Sequence, residues 1–187
     1  MKNLYLKEIE FNDLNLLIDY NNDFKKYFPN FKNSINENTF NDWLKEIKES
    51  QKDEFKMHVY PYWLMKGEKA IGLPILKTNI EVNEEYKKYG GHISYVISPS
   101  YRMKGYGTHC LHLVLKECEK LGLDTVLITC DEKNVGSARV IENNYGHLID
   151  TCICDMGSYK GRIFRRYSIN INKSLNFYNQ NISKKKY

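Results

Sequence analysis

Arg102-Met103-Lys104-Gly105-Tyr106-Gly107 stands between an apolar strand and an amphipathic helix, and the fold follows from how these three pieces join. The two glycines allow close backbone approach to a ligand, and the helix that begins beside them turns unpaired N–H groups toward whatever lies in front. The run therefore reads as a phosphate site. Upstream, His92 to Ser98 alternates polar and apolar side chains with the two-residue period of a strand, and Pro99 ends it by removing a ladder donor. Downstream, Gly107, Cys110, Leu111, Val114, Cys118 and Leu121 recur at three and four residues, with His109, His112, Lys116, Glu119 and Lys120 on the other face. Gly122 stops this helix, and Thr125 to Cys130 follows as a second apolar strand. A strand–helix–strand unit of this length predicts a right-handed parallel crossover, with the phosphate loop at the carboxyl end of its first strand.

The chain has 187 residues, 42% of them hydrophobic and 27% charged, which suits one domain that buries roughly 70% of its unfolded surface. We read residues 1–171 as that domain and residues 172–187 as a basic tail carrying Lys184-Lys185-Lys186, free in solvent or docked on the body or on a partner chain. A net charge of +5 attracts an anionic cofactor but is too diffuse to argue for nucleic acid. The amino terminus is charged from the start, and no apolar stretch is long enough for a signal peptide or a membrane span, so a cytoplasmic protein without a membrane partner is expected. The five cysteines are an odd count, and Cys110, Cys118 and Cys130 fall on core positions, which argues against a disulfide framework. Cys152-Ile153-Cys154 lacks the two-residue gap of a redox or zinc pair, and His109 and His112 have no second ligand cluster. No metal is expected.

Leu4 to Ile9 reads as an opening strand, and Asn12-Asp13 as the capped start of a helix carrying Leu14, Leu16, Leu17 and Tyr20. A second helix is predicted from about Asn38 to Ser50, with Phe40, Trp43, Leu44 and Ile47 on one face. Lys56 to Met65 and Ala70 to Ile80 are strand-like, and Lys66-Gly67-Glu68-Lys69 between them predicts a hairpin. Glu81 to Gly90 reads as a polar loop, and Leu148 to Asp155 and Arg162 to Ile171 as two closing strands joined around Gly157 and Gly161. After Cys130, Asn134 caps a further helix that carries Val140 and Ile141 and ends at Gly146. Two helix amino termini thus follow two neighbouring strands. If those strands splay, a long anionic ligand can lie between them, its diphosphate on the first terminus and an amide-bearing arm against the strand edges and Asn134.

The pattern Tyr95-Val96-Ile97-Ser98-Pro99-Ser100-Tyr101-Arg102-Met103-Lys104-Gly105-Tyr106-Gly107, then Asn134-x-x-Ser137 and Glu142-x-x-x-Gly146, resembles the GNAT superfamily of acyl-coenzyme A dependent N-acyltransferases. The likeness runs from about Ala70 to Ile171. More narrowly, Gly91-His92-Ile93, Lys104-Gly105-Tyr106, Leu127 to Asp131 and Arg165-Arg166-Tyr167 are similar to a branch of predicted bacterial acetyltransferases whose acceptors are mostly unassigned. The resemblance implies a mixed α/β (α+β) fold: a splayed, mostly antiparallel sheet of about seven strands with a parallel pair at its centre and flanking helices. It also implies acetyl-coenzyme A as co-substrate and a primary amine of a small molecule or peptide as acceptor. A homodimer joined through carboxyl-terminal strands is left open.

Carried over position by position, the resemblance implies that backbone amides of Met103, Lys104, Gly105, Tyr106, Gly107 and Thr108 hold the pyrophosphate, with Arg102 positioning the loop and the Thr108 hydroxyl adding a donor. Lys104 is equally well read as a solvated cation. Ile97 would bond the pantetheine arm through its main chain, Asn134 would meet it from the other side, and Ser137 would lie near the phosphates or the adenosine end. Many relatives place a tyrosine, the presumed acid, where this chain has Ile141. Tyr95 is the candidate acid in its stead, beside water or an unprotonated thiolate, since Tyr145 faces elsewhere. For the base, His92 has a fitting pKa, with Tyr95, Glu81, Glu84 and Asp131 as alternatives and a purely structural His92 weighed beside them.

Two other readings compete. A dinucleotide-binding oxidoreductase would use strand, Gly105-x-Gly107, helix and Asp131 as a Rossmann unit, but Cys110 holds the third glycine position and the match lies mid-chain after a hairpin. An acyl-coenzyme A sensor on the same fold is favoured only by Ile141.

Overall fold

Leu4–Glu8 (β1), His58–Lys66 (β2), Lys69–Thr78 (β3) and Ile93–Ile97 (β4) form an antiparallel sheet in the order β1-β2-β3-β4. Thr125–Asp131 (β5), His147–Ile153 (β6) and Ile163–Asn170 (β7) form a second antiparallel sheet in the order β5-β7-β6. The helices are Leu14–Tyr27 (α1), Phe40–Ser50 (α2), Tyr106–Lys120 (α3), Val135–Glu142 (α4) and Ile171–Asn181 (α5). This computed structural model describes residues 3–181.

The helices cover opposite faces of the sheets because their apolar stripes do. On α1, Leu17, Tyr20 and Phe24 recur at three and four residues and pack with Phe40 and Leu44 of α2 onto Trp63, Met65 and Leu73 of the hairpin. On α3, Leu111, Val114, Leu115 and Cys118 face Leu76, Ile93, Val126 and Ile128 on the other side. The β2–β3 ladder lapses between the pairs Pro61–Ile75 and Leu64–Gly72, where Pro74 has no N–H to offer.

The expected single sheet with a central parallel pair is corrected to two antiparallel sheets of four and three strands, and no described strands pair in parallel. The reason lies at the vertex where β4 and β5 meet. One bridge joins Gly91 to Ile128, and the His92 N–H donates to the Leu127 carbonyl at 2.8 Å. The Leu127 N–H, which a ladder would use, instead donates to His92 Nδ1 at 2.9 Å. Gly91 sits at φ 67°, and a Cβ there would lie 2.6 Å from the Leu127 oxygen, so glycine alone permits this approach. Beyond the vertex β5 pairs with β7 on its far edge along its whole length, from Thr125–Asn170 to Asp131–Phe164, and among the described residues β4 finds no partner on the side facing β5.

Smaller differences have local causes. The segment read as a polar loop contains helical turns at Ile80–Val82 and Tyr86–Gly90, the latter closed by the Gly91 N–H on the Tyr86 carbonyl at 2.7 Å. Asp13 does not cap α1 with its side chain; its carboxylate takes Lys7 Nζ at 2.6 Å and the Glu10 N–H at 3.0 Å. Part of the expected basic tail is helix α5, whose Leu175 and Tyr178 are buried and whose Tyr178 ring stacks on His112 at 3.5 Å. Lys184 to Lys186 lie outside the described residues.

Gly91→Ala is expected to lower the unfolding free energy by about 2 kcal/mol or more, combining left-handed strain with the contact on Leu127. Gly67→Ala, at φ 59° with nothing within 4 Å of the added carbon, should cost only the strain, about 1–2 kcal/mol. Urea unfolding of both variants measures the difference.

Candidate active site

Which backbone groups face the gap between the sheets follows from register. Lys77 N–H bonds the His92 carbonyl at 2.7 Å and Ser98 N–H bonds the Ile71 carbonyl at 2.9 Å, so the even-numbered residues of β4 exchange hydrogen bonds with β3. Ile93, Tyr95 and Ile97 therefore direct their main-chain groups outward. In the same way Glu132 N–H bonds the Ile163 carbonyl at 2.9 Å, so Leu127, Thr129 and Asp131 of β5 direct theirs toward β4. Two strand edges with free polar groups thus face each other across a wedge that closes at Gly91 and His92.

The phosphate-type loop sits at the open end of that wedge. Ser98 precedes a short turn at Pro99–Tyr101, and α3 starts at Gly105, which adopts φ 77°. The first bond into the helix is His109 N–H to the Gly105 carbonyl at 3.3 Å, and the amides from Met103 to Thr108 find no hydrogen-bond partner among the described residues. Met103 also has positive φ, at 58°, and its side chain is 94% exposed, so the loop is shaped by backbone and not by packing of that residue. Lys104 Nζ donates to the Ser100 carbonyl at 2.7 Å, and Tyr106 is buried edge-on against Tyr101. Gly107 lies so close to α4 that a Cβ would meet Val140 Cγ2 at 3.0 Å. Thr108 is buried, and its carbonyl accepts Asn144 Nδ2 at 3.1 Å.

The remaining expected residues are placed by their own hydrogen bonds and burial. The Arg102 Nε donates to the Ile97 carbonyl at 2.9 Å, which ties the loop back to the strand end and leaves the Ile97 N–H. The Asn134 side chain caps α4 by accepting the Ser137 N–H at 3.0 Å. The Tyr95 hydroxyl reaches across the wedge to Ser137 Oγ at 3.5 Å, and burial raises its pKa well above the ordinary phenol value. His92 stands at the vertex; burial lowers its pKa, and with Nδ1 accepting from Leu127 the neutral ring carries its proton on Nε2. Ile141 is fully buried, and Tyr145 packs on Phe177 and His147, away from the wedge. Among the described residues no group of three or more histidine, cysteine or acidic side chains is placed to hold a metal.

Sequence reading missed the face of α1 that holds this loop. Tyr20, Asp23, Phe24 and Tyr27, spaced three and four residues apart, all engage it. The Tyr20 hydroxyl donates to the Val96 carbonyl at 3.1 Å, Tyr27 and Ser100 hydroxyls share a bond at 3.2 Å, and the Phe24 ring lies under the Arg102 guanidinium at 5.5 Å. Asp23 accepts from the Ser98 hydroxyl, from the Ser100 N–H at 3.1 Å and from the Ser100 hydroxyl at 2.5 Å. Burial alone would raise its pKa, but the bonds from Ser100 and Ser98 outweigh burial and hold it below the usual carboxylate range. The only trace in the sequence was an acidic residue on an otherwise apolar stripe. Asn144 was also missed: wholly buried, it bonds the Thr108 carbonyl at 3.1 Å and the Val140 carbonyl at 2.9 Å, locking α4 to the first turn of α3.

Asp23→Asn is expected to cost about 2 kcal/mol at neutral pH. Because the folded carboxyl titrates below its unfolded value of about 3.9, the wild-type advantage is full above that value and disappears as pH falls through the lower, folded one. Thermal unfolding of both proteins over a pH series should show the two curves converging in acid.

Residues 3–144 match the family model described as acetyltransferase (GNAT) domain. No curated protein sequence matches the chain. Among solved structures, RimJ of Mycobacterium smegmatis in complex with coenzyme A disulfide aligns over 95% of this chain and 91% of its own, with TM-score 0.72 and 10% identity. RimL, a ribosomal alpha-N-protein acetyltransferase, aligns over 90% of both chains with TM-score 0.66 and 14% identity. A chimera of the Vibrio cholerae spermidine N-acetyltransferase SpeG aligns over 94% of this chain and 99% of its own, with TM-score 0.64 and 17% identity. The mixed α/β fold, the antiparallel sheets and the loop at the start of α3 agree with that match, and the chain belongs to the GNAT acetyltransferase family.

Proposed function

We propose that this protein transfers an acetyl group from acetyl-coenzyme A to a primary amine of a small molecule or peptide by direct attack. One observation carries the reading: a wedge with free main-chain groups on both edges opens onto a loop whose amides have no partner among the described residues. Such a cleft suits a ligand with an anionic end and an extended amide-bearing arm. The left-handed Gly105 and the tight approach of Gly107 to Val140 make room for backbone, not side chains, at the anion. Enzymes of similar structure are named for spermidine and for ribosomal protein alpha-amines, which supports an amine acceptor of either class. Free thiols at all five cysteines support a reducing, cytoplasmic setting.

In this reading the amides of Met103 to Thr108 hold the pyrophosphate, Arg102 fixes the loop, and Lys104 adds positive charge at its rim. Ile97 bonds the pantetheine arm through its free N–H, since Arg102 holds its carbonyl. Asn134 faces the arm from the other wall, and Ser137 shares its hydroxyl with Tyr95. Acetyl-coenzyme A supplies an activated thioester. A second outward main-chain N–H of β4 near Ile97, that of Tyr95, is suited to a developing oxyanion. Tyr95, kept protonated by burial, serves as the acid for the departing thiolate; because the phenol's pKa lies above the thiol's ordinary value of about 8.5, that transfer is uphill and is completed as the nitrogen's own proton returns to the phenolate. An alkyl ammonium with pKa about 10.4 costs about 4–5 kcal/mol to deprotonate at neutral pH, so a base is needed. His92 would have to give up the Leu127 N–H to offer Nδ1, and we assign it first to holding the vertex.

Isothermal titration with acetyl-coenzyme A, followed by thiol release over an amine panel, tests the reading; coenzyme uptake without transfer to any amine would favour a sensor instead. Gly105→Glu should abolish coenzyme affinity by setting a carboxylate against the pyrophosphate, and unchanged Michaelis constants in that variant would refute the loop assignment. Tyr95→Phe should lower kcat about 100-fold with little change in KM. An unchanged kcat would remove Tyr95 from the mechanism.

A further inference from the structure

β4 presents unequal sides. Ile93, Tyr95 and Ile97 pack toward α3, whereas Ser94 and Val96 are exposed on the opposite face, Val96 by 46%. Core side chains fill the α3 side of the strand, so a second substrate reaches a thioester lying along the outer edge of β4 most openly across Ser94 and Val96. Beside that open floor lies Lys77 of β3, only 5% exposed. Its Nζ donates to Ser94 Oγ at 3.1 Å and lies 5.1 Å from the centre of the Tyr86 ring. No carboxylate forms an ion pair with it among the described residues. A buried ammonium with one hydroxyl and one ring for partners is costly to keep, and packing alone would be served better by methionine.

Resting on the acetyltransferase reading, we propose that Ser94 meets the acceptor ammonium and relays one of its protons to Lys77, which makes Lys77 the positioning residue of a two-member base. As the ammonium gives a proton to Ser94 Oγ, the Ser94 hydroxyl proton passes to the lone pair of neutral Lys77, which later sheds it to solvent. The amine nitrogen then forms its bond to the acetyl carbon while the carbon–sulfur bond breaks, and the second nitrogen-bound proton balances the one that the thiolate takes from Tyr95. Burial lowers the pKa of Lys77 to about 8, so the neutral amine is present at mildly alkaline pH. The groups facing it are few. His92 lies opposite in the ladder, held neutral at Nδ1 by Leu127; Glu81 acts on His92 from the following turn; Tyr86 covers the ammonium with its ring.

The test is kcat and kcat/KM against pH for the full chain, with acetyl-coenzyme A and an acceptor that the wild type uses, beside titration of coenzyme binding in the same preparations. The wild-type profile should rise through a pKa near 8. Ser94→Ala, an exposed substitution that leaves the core intact, should lower kcat about 100-fold with coenzyme affinity unchanged. Lys77→Met should lose the inflection, and Lys77→Arg, which keeps the charge but cannot give it up, should be as slow. If Ser94→Ala and either Lys77 variant keep kcat within about two-fold and the wild-type pH profile, the inference is overturned. A wild type that binds no coenzyme and acetylates no amine overturns the acetyltransferase reading itself.

Discussion

An open strand edge must be compensated, and in this protein the compensation shapes the site. β4 is bonded to β3 on one side and, past the Gly91–Ile128 bridge, to no strand on the other among the described residues; at the vertex the Leu127 N–H, which a ladder would use, is taken by an imidazole nitrogen. Along the facing edges the main-chain groups of Tyr95 and Thr129 and the N–H of Ile97 and Asp131 have no hydrogen-bond partner among the described residues. Water can satisfy such groups, and an extended amide chain can do so while bringing its own apolar atoms. In the proposed reading, coenzyme binding is a form of strand-edge completion.

The loop at the mouth of the gap works only if it is held still, since amides that point at an anion lose their advantage when the loop must be ordered on binding. Three separate pieces of chain supply the restraint. Arg102 ties the loop to Ile97, Asn144 ties the first turn of α3 to α4, and Asp23 with its helical neighbours grips the turn from α1. Ser174 of α5 closes the set with a bond of 2.5 Å to the Asn144 carbonyl. Helix α5 is therefore coupled to the start of α3 through Ser174 and Asn144 as well as through the ring of Tyr178.

Charge is placed with similar economy. Aromatic and hydroxyl groups, not carboxylates, surround the buried cation at Lys77, while the one depressed carboxylate near the loop, Asp23, faces serine donors and not the anion site. A carboxylate nearer the amides would repel a diphosphate.

By itself the sequence determined the elements and their punctuation. Alternation marked β4, the three-and-four spacing of Cys110, Leu111, Val114 and Cys118 marked α3, and Gly105, Gly107 and Gly122 marked where the chain must turn or approach closely. These are local properties, set by neighbours within one helical turn or one pleat. Tertiary structure alone decided that β4 and β5 do not pair as a parallel ladder, that Asp13 binds Lys7 and not its own helix, and that Asp23 and Asn144 serve the loop. Each of these depends on a hydrogen-bond choice beyond a residue's own helix or strand, most of them between residues far apart in the chain, where alternative partners differ by about 1 kcal/mol and only the packed geometry selects among them.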